Sequence, residues 1–180
     1  MAADFLEIVI TWPDPLPGEA EHICRLLDGG THFVHLRRPD AGEEEMRRLI
    51  ESIRKDLHPR LILHSHFRLI EEYGLGGAHL NGRWPDAPKF HTELSHSCHS
   101  LAELACAPRF RYVTLSPVFP SISKPGYGPK GFSPFLKGKI PALNVIALGG
   151  VTPERYPELR QAGFAGAARL GDVWKPFVKK

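Results

Sequence analysis

The sequence predicts an α/β fold and, within that class, a compact (β/α)8 TIM barrel with short helices. Short apolar segments rich in β-branched residues alternate with segments of helical period, which is typical of parallel strands joined by crossover helices. Eight such strands are predicted, the number that closes a barrel of this kind. No G-x-G-x-x-G motif follows the first strand, so nothing favours the main alternative, an open doubly wound sheet that binds a dinucleotide.

Each predicted strand is a short run that ends at a proline, a glycine or a polar residue. The sixth run enters a loop with Pro117 and Pro120, which lack the N–H group that a strand ladder needs. The eight strands are Phe5–Thr11, His32–Leu36, Arg60–His64, Ala78–Leu80, Glu93–Ser97, Tyr112–Val118, Asn144–Leu148 and Ala165–Leu170.

Helical period and capping residues predict six helices between or after these strands. Ser100 and Glu103 form a predicted capping box. Thr152 is a predicted N-cap, with Pro153 at the first helical position. The six helices are Glu19–Asp28, Gly42–Leu57, Phe67–Tyr73, Ser100–Cys106, Pro153–Ala162 and Val173–Val178.

Composition favours one domain spanning residues 1–180, because 180 residues with 42% hydrophobic content suit a single core. The net charge of +3 comes from scattered basic residues, so no nucleic-acid partner is expected, whereas small anionic substrates are plausible. We expect a cytoplasmic protein, since no signal peptide and no apolar run long enough to span a membrane is found. A homodimer is left open, because the outer helices of a barrel can pack against a partner.

Cysteine and histidine spacing gives no metal pattern. Cys24, Cys98 and Cys106 are odd in number and widely spaced, which indicates reduced thiols. Ten histidines are present, but their spacings match no compact zinc motif, so we predict no metal bound through them.

Residues that follow the strands are the candidate site, because catalytic residues of barrels lie at the carboxyl ends of the strands. Hydrogen-bond donors far outnumber acids there, which favours an anionic ligand. Gly149 and Gly150 allow close backbone approach ahead of a helix N-terminus, a combination suited to phosphate, although a plain tight turn is the alternative. The residues are Arg37, Arg38, His64, Ser65, Asn81, Ser97, His99, Ser116 to Lys124, Gly149, Gly150, Gly171 and Asp172.

Five motifs, in this order along the chain, resemble the thiamine-phosphate synthase family, which includes the related thiazole tautomerases. They are HLRRP (His35–Pro39), GAHLNG (Gly77–Gly82), SCHS (Ser97–Ser100), LSPVFPSISK (Leu115–Lys124) and ALGGVTPE (Ala147–Glu154). The resemblance implies an enzyme of thiamine biosynthesis that joins hydroxymethylpyrimidine diphosphate to thiazole phosphate and releases diphosphate. Small phosphorylated pyrimidine and thiazole substrates are therefore the expected partners.

The resemblance also implies roles for individual residues. Arg37, Ser97, Ser121, Ser123 and Lys124 would face the diphosphate, and Gly150 with the backbone beyond the eighth strand would hold the thiazole phosphate. We predict Arg37, Lys124, His64 and His99 as catalytic. The predicted substrate-binding residues are Arg38, His79, Ser97, Ser121, Ser123, Gly149, Gly150 and Gly171.

Several positions depart from the family pattern. His35 replaces the family's usual glutamine and Pro39 its lysine, a loss that Arg38 could offset. The Asn-Asp pair after the third strand is replaced by His64-Ser65, and the second acid falls near Arg83-Trp84. Two carboxylates that would bind Mg²⁺ are therefore replaced, and Mg²⁺ is expected only if another acid, such as Asp86, takes their place.

Three activities remain open. A synthase would use Arg37 and Lys124 to stabilise the departing diphosphate. A metal-independent thiazole phosphate tautomerase would need a general base, for which His64 or His99 is suited, although Pro117 stands where tautomerases of the family have histidine. The third possibility is a non-catalytic binder of thiamine phosphates.

Overall fold

The computed structural model describes residues 5–104, 110–120 and 144–178. Within them, eight parallel strands pair in chain order, and the last pairs with the first to close a barrel. The predicted (β/α)8 fold is therefore confirmed. In chain order the strands β1 to β8 are Leu6–Ile10, Phe33–Leu36, Leu61–Leu63, Gly77–Leu80, Leu94–Cys98, Tyr112–Leu115, Val145–Leu148 and Gly166–Arg169.

The helices are short, as the length of the chain requires. The α-helices α1 to α6 of the described residues are Glu19–Asp28, Glu43–Ser52, Arg68–Tyr73, Leu101–Leu104, Tyr156–Ala162 and Gly171–Trp174. Three 3₁₀ helices accompany them, at Lys55–Arg60, Pro153–Arg155 and Lys175–Phe177. None of the helices in the described ranges is long and apolar enough to cross a membrane.

Helix α2 ends earlier than predicted, at Ser52 rather than Leu57. Ile53 has an extended backbone, and the chain continues as a 3₁₀ turn. The buried ring of His58 lies 3.1 Å from the carbonyl oxygens of both Ile50 and Ile53. The Ile50 carbonyl also accepts from the Ile53 N–H at 3.1 Å, so the His58 ring adds a side-chain contact to the carbonyl groups at the end of the helix.

Strand β6 also stops early, at Leu115 instead of Val118. Pro117 cannot donate to a ladder, and the backbone turns toward the end of β7. There the Val118 N–H donates to Leu148 O at 2.9 Å, and the Phe119 N–H donates to Gly149 O at 3.0 Å. The loop that follows β6 is therefore anchored on its neighbour.

The two predicted caps differ in outcome. The Glu103 N–H donates to Ser100 Oγ at 3.2 Å, and the Glu103 carboxylate accepts from the His99 N–H at 2.8 Å, so the capping box is formed, with its return bond one residue early. Thr152 occupies an N-cap position but makes no capping bond with its side chain. The predicted helix end at Cys106 lies outside the described residues.

Alternation along the strands separates an inner core from an outer one. In β2, Val34 and Leu36 pack in the layer between the strands and the helices. Phe33 belongs instead to the cluster inside the barrel. The hydrophobic members of this inner cluster with low exposure are Ile8, Ile10, Phe33, Ile62, Tyr112, Ile146 and Ala168.

Candidate functional site

A cavity of about 610 Å³ lies at the carboxyl ends of the strands. Its volume falls in the range of sites for small molecules. Many of the predicted site residues share its walls, so the structure brings strand ends from opposite sides of the barrel to one hollow. They are Arg37, His64, His79, Ser97, His99, Gly149, Gly150 and Gly171.

Other predicted residues are not among these walls. The buried side chain of Arg38 forms an ion pair with Glu19, which is also buried. Arg38 borders only a side cavity of about 40 Å³, next to Ser65. Its predicted substrate role stays a prediction, and the structure gives it a packing role besides. Ser121, Ser123 and Lys124 lie outside the described residues.

Arg37 offers an unused cation to the cavity. The backbone N–H of Arg37 donates to Thr11 Oγ1 at 2.9 Å, which holds the backbone in place. No described residue accepts a hydrogen bond from its guanidinium or forms an ion pair with it. Burial lowers the pKa of Arg37 most, and the neighbouring charge of Arg83 lowers it further, against the opposing effect of Asp40. An anion bound here would relieve that repulsion.

Carboxylates are absent from the described walls of this cavity. Asp86, which could have replaced the missing acids, is exposed and does not line it. Mg²⁺ takes oxygen ligands, usually carboxylates. The described walls therefore do not fit the Mg²⁺ that the family resemblance implies.

Three buried histidines from β2, the end of β3 and β4 meet inside the barrel. Each of His35, His64 and His79 has a ring nitrogen that could bind a metal, and these three nitrogens lie within 4.8 Å of one another. Spacing along the sequence concealed this cluster, because the three residues come from separate strands. Imidazole nitrogens are good ligands for a zinc-like ion, so these are the described residues that could hold a transition metal.

Hydrogen bonds already occupy most of these nitrogens. His35 Nδ1 lies 2.9 Å from His64 Nε2, and His35 Nε2 lies 2.6 Å from the Tyr112 hydroxyl. The two ring nitrogens of His79 each lie 2.8 Å from a serine hydroxyl, that of Ser95 or of Ser97. The rings of His64 and His79 stack at 4.3 Å with 25° between their planes, so their in-plane lone pairs do not converge on one point. The geometry thus favours a hydrogen-bond network over a metal centre.

Burial keeps these three rings neutral. It lowers the pKa of His35 to about 3 and lowers the pKa of His64 and of His79 well below the ordinary value. A neutral imidazole carries one N–H donor and one acceptor nitrogen. Each ring can therefore accept a proton on one side and release one on the other.

His99 contacts the end of β6. Its Nδ1 lies 3.2 Å from Ser116 Oγ and 3.3 Å from Ser116 O. Both residues line the cavity, and His99 is exposed to solvent. The ring of His99 and the Ser116 hydroxyl therefore lie side by side at the cavity wall, and the catalytic role of His99 stays a prediction.

Gly149 and Gly150 are required by the backbone itself. Their φ angles are +95° and +62°, a region that favours glycine. A Cβ on Gly150 would lie 2.2 Å from Pro120 O, and one on Gly149 would lie 2.9 Å from Pro117 Cα. The turn needs both glycines whatever it binds, and their phosphate-binding role stays a prediction.

Three residues at the site, His35, Tyr112 and Arg83, are not among those that the sequence predicts for it. His35 lies two positions before Arg37, and alternation in β2 would have placed it below Arg37 inside the barrel. For Tyr112 the sequence predicts only a place in a buried strand. Arg83 lines the cavity while its side chain donates to Pro39 O at 2.7 Å. The last contact joins two loops, which no local sequence signal reveals.

Fold and site together define a (β/α)8-barrel protein with a cavity suited to small anionic ligands. Residues 10–173 match the family model described as thiamine monophosphate synthase (TMP-TENI). The chain belongs to this family, which places it in thiamine biosynthesis among transferases and confirms the resemblance stated from the motifs.

Individual relatives agree with this assignment. A thiamine-phosphate synthase from Photorhabdus laumondii is 27% identical over 176 residues, covering 89% of this chain and 81% of the relative. The crystal structure of thiamine phosphate pyrophosphorylase from Bacteroides thetaiotaomicron superposes with a TM-score of 0.84 at 34% identity, covering 97% of this chain and 87% of that one. A thiamine phosphate pyrophosphorylase from Pyrococcus furiosus, with a TM-score of 0.71 at 21% identity, covers 95% of this chain and 91% of its own and supports the fold.

Proposed function

We propose that the protein joins hydroxymethylpyrimidine diphosphate to thiazole phosphate and releases diphosphate. The observation that carries the proposal is the guanidinium of Arg37, which lies at the cavity wall without a partner among the described residues. No carboxylate in the described walls competes with an anion for it. We take the reaction from the family, and we propose that the guanidinium of Arg37 stabilises the departing diphosphate.

The chemistry explains why a cation is needed at this position. A ring nitrogen of the thiazole forms a bond to the methylene carbon of the pyrimidine while the bond from that carbon to the diphosphate oxygen breaks. Negative charge therefore grows on the leaving group in the transition state, and donors fixed around it lower the barrier. Arg37 is held by Thr11 and can serve in this way, with Arg83 at the same wall.

We assign the second substrate to a different part of the cavity wall. Gly149, Gly150 and Gly171 line the cavity and follow β7 and β8, whereas Arg37 follows β2, on the other side of β1. The ends of the last two strands are a frequent phosphate site in barrels. We assign the thiazole phosphate to this side and the diphosphate to the side of Arg37. Lys124 remains a predicted second cation, and no step is assigned to Mg²⁺.

The decisive experiment compares two arginine variants in a thiamine phosphate assay, with product measured by chromatography. Arg37→Ala should lower kcat/KM by about 10²- to 10³-fold, the usual effect of removing one group that stabilises transition-state charge. Arg48→Ala is the control, because Arg48 is exposed on α2 and no described residue forms an ion pair with it. Equal activity of the two variants, or no product from the wild type at saturating substrates, would overturn the proposal.

A second candidate is a metal-independent isomerase acting on thiazole phosphate. His64 and His79 at the cavity wall favour it, because their imidazole rings can exchange a proton with a ligand, whereas the burial that lowers their pKa weakens them as bases. Pro117, where tautomerases of the family have histidine, is the departure against it. Calorimetric binding of thiamine phosphate without any turnover would instead indicate a non-catalytic binder.

A further inference from the structure

Arginine side chains border the region where the family resemblance implies carboxylates that bind Mg²⁺. After β3 the chain has Ser65 in place of an acid, and after β4 it has Arg83 and Trp84. These three residues line the side cavity of about 40 Å³, which Arg37 and Arg38 also border. Guanidinium groups therefore lie where the family pattern would place the ligands of a dication.

The remainder of the sequence does not replace the missing acids. Residues 105–109 and 121–143, which lie outside the described ranges, contain no aspartate or glutamate. Asp4 is the one acid outside those ranges, and it precedes β1 in the sequence, whereas the cavity lies at the carboxyl ends of the strands. The segment 121–143 adds cations instead, namely Lys124, Lys130, Lys137 and Lys139.

Described carboxylates close to strand ends are already paired with arginine. Asp40 forms an ion pair with Arg83 at 3.2 Å, and Asp172 forms one with Arg169 at 2.7 Å. Neither carboxylate lines the cavity. Mg²⁺ beside a phosphate group usually takes one or two carboxylates as ligands. The described walls thus present arginine where such an ion would need oxygen.

The turn that carries Arg83 has a well-fixed backbone. Asn81 Oδ1 accepts from the backbone N–H of Arg83 at 3.1 Å. Asn81 Nδ2 donates to the carbonyl oxygens of His64 and His79, each at 3.1 Å. The backbones of Asn81 and Trp84 exchange two further bonds, of 3.1 and 3.0 Å. Arg83 is therefore anchored at the cavity wall, which lowers the entropy cost of binding a ligand with its side chain.

The Arg83 side chain has surface contacts that a polyanion can replace. Its Nη1 donates to Pro39 O at 2.7 Å and pairs with Asp40. The side chains of Arg83 and Asp40 are 64% and 89% exposed, and exposed ion pairs contribute little free energy. After burial, the charge of Arg83 is the next cause that lowers the pKa of Arg37, so the two guanidinium groups repel each other. A polyanion bound by both would remove this repulsion.

We propose that the guanidinium of Arg83 takes the place of Mg²⁺ in this protein and, together with Arg37, binds the substrate diphosphate without a divalent cation. The inference rests on the proposed function for its ligand and goes beyond it in naming the cation. Two guanidinium groups together carry the charge of one Mg²⁺, and each can donate two parallel hydrogen bonds to phosphate oxygens.

The bond changes of the condensation balance without a metal ion. The thiazole nitrogen gives its electron pair to the methylene carbon and becomes cationic. The bonding pair between that carbon and the diphosphate oxygen leaves with the diphosphate. No oxidant, reductant or proton donor is needed for this exchange. Arg37 and Arg83 have to stabilise the negative charge that grows on the leaving oxygens, which fixed donors can do.

Calorimetry with inorganic diphosphate tests the binding without any turnover. The wild type should bind diphosphate in buffer freed of metal ions. Added Mg²⁺ should tighten binding by less than about twofold, after correction for the complex that it forms with diphosphate in solution. Arg83→Ala should weaken binding by about tenfold, because a charge-assisted contact is lost. Arg83→Lys keeps the charge and should weaken binding less.

Arg54→Ala is the matched control for these variants. Arg54 is likewise an exposed arginine with carboxylate partners, Asp28 and Asp56. It precedes β3, on the side of the amino ends of the strands and away from the cavity. Its removal should leave diphosphate binding unchanged. Wild-type binding that requires Mg²⁺, or equal affinity of Arg83→Ala and Arg54→Ala for diphosphate, would overturn the inference.

The thiamine phosphate assay separates this inference from the proposed function. Product formed at similar rates with and without Mg²⁺, and strongly reduced in Arg83→Ala, supports both. Product that forms only with Mg²⁺ would overturn the inference and leave the synthase function. No product, combined with metal-free diphosphate binding that depends on Arg83, would remove the synthase function and leave the arginine site for diphosphate.

Discussion

The inside of the barrel has two unlike halves. On the side of β7, β8 and β1 it is filled by apolar side chains such as Ile146 and Ile8. On the side of β2 to β5 it contains, besides Phe33 and Ile62, histidines and serines that bond to one another. The apolar half needs only close packing, whereas the polar half must satisfy every buried donor and acceptor. A fold needs the first kind of interior, so the second kind points to function.

The largest expected effect comes from the apolar half. Ile146→Ala should lower the free energy of unfolding by about 2–5 kcal/mol, because Ile146 is fully buried and a cavity would remain. The loss should be nearly the same at pH 7 and at pH 5, since no ionisable group is removed. Urea unfolding at the two pH values measures it, and a strongly pH-dependent loss would show that the halves are not independent.

The polar half should respond to pH instead. A histidine whose pKa is about 3 in the folded protein and near 6.5 when unfolded favours unfolding as the pH falls from about 6.5 toward 3. For His35 this amounts to about 2 kcal/mol between pH 7 and pH 5. His35→Gln should therefore lose about 2 kcal/mol less stability over that interval than the wild type, in the same urea experiment.

Equal pH sensitivity of His35→Gln and the wild type would contradict a neutral, buried His35. Glutamine is the informative replacement here, because it is polar and is the residue that the family usually has at this position. Ser52→Ala is a suitable control, since among the described residues the Ser52 hydroxyl bonds to Arg48 O alone, on an exposed helix surface.

The smallest expected effect lies where the halves meet. Thr114 Oγ1 is buried without a partner among the described residues, so its hydroxyl costs free energy without a compensating bond. Thr114→Val keeps the shape of the side chain and should raise the free energy of unfolding by about 1 kcal/mol. A decrease of similar size in thermal or urea unfolding would mean that the hydroxyl has a partner after all.

The apolar half and the fold were largely predictable from the sequence. Each strand is a local apolar run, each strand end is marked by its residues, and an eight-fold count selects the barrel. The errors lie at the ends of elements, where tertiary contacts decide. His58 caps α2 from beyond its end, and the β6 loop binds to β7, so neither Ser52 nor Leu115 is marked as a terminus by its neighbours.

The polar half was predictable only in part. The strand register places His35 beside Ile62 and His79 beside Ser95, and the sequence of one strand does not predict which residue of its neighbour lies beside it. Arg37 and Arg38 show the same limit. Alternation in β2 places Arg37 on the face of the cavity and Arg38 on the other face, but it does not reveal that Arg38 pairs with Glu19, a distant residue.

The close contact between the turn after β7 and the loop after β6 has a consequence for engineering. A Cβ added at Gly150 would lie 2.2 Å from Pro120 O, so the backbone of Pro120 packs directly against that turn. The described part of the β6 loop is therefore fixed at Pro120 by the backbone of the β7 turn. Shortening or replacing the connection after Pro120 should leave the position of Pro120 unchanged, provided that Gly150 is retained.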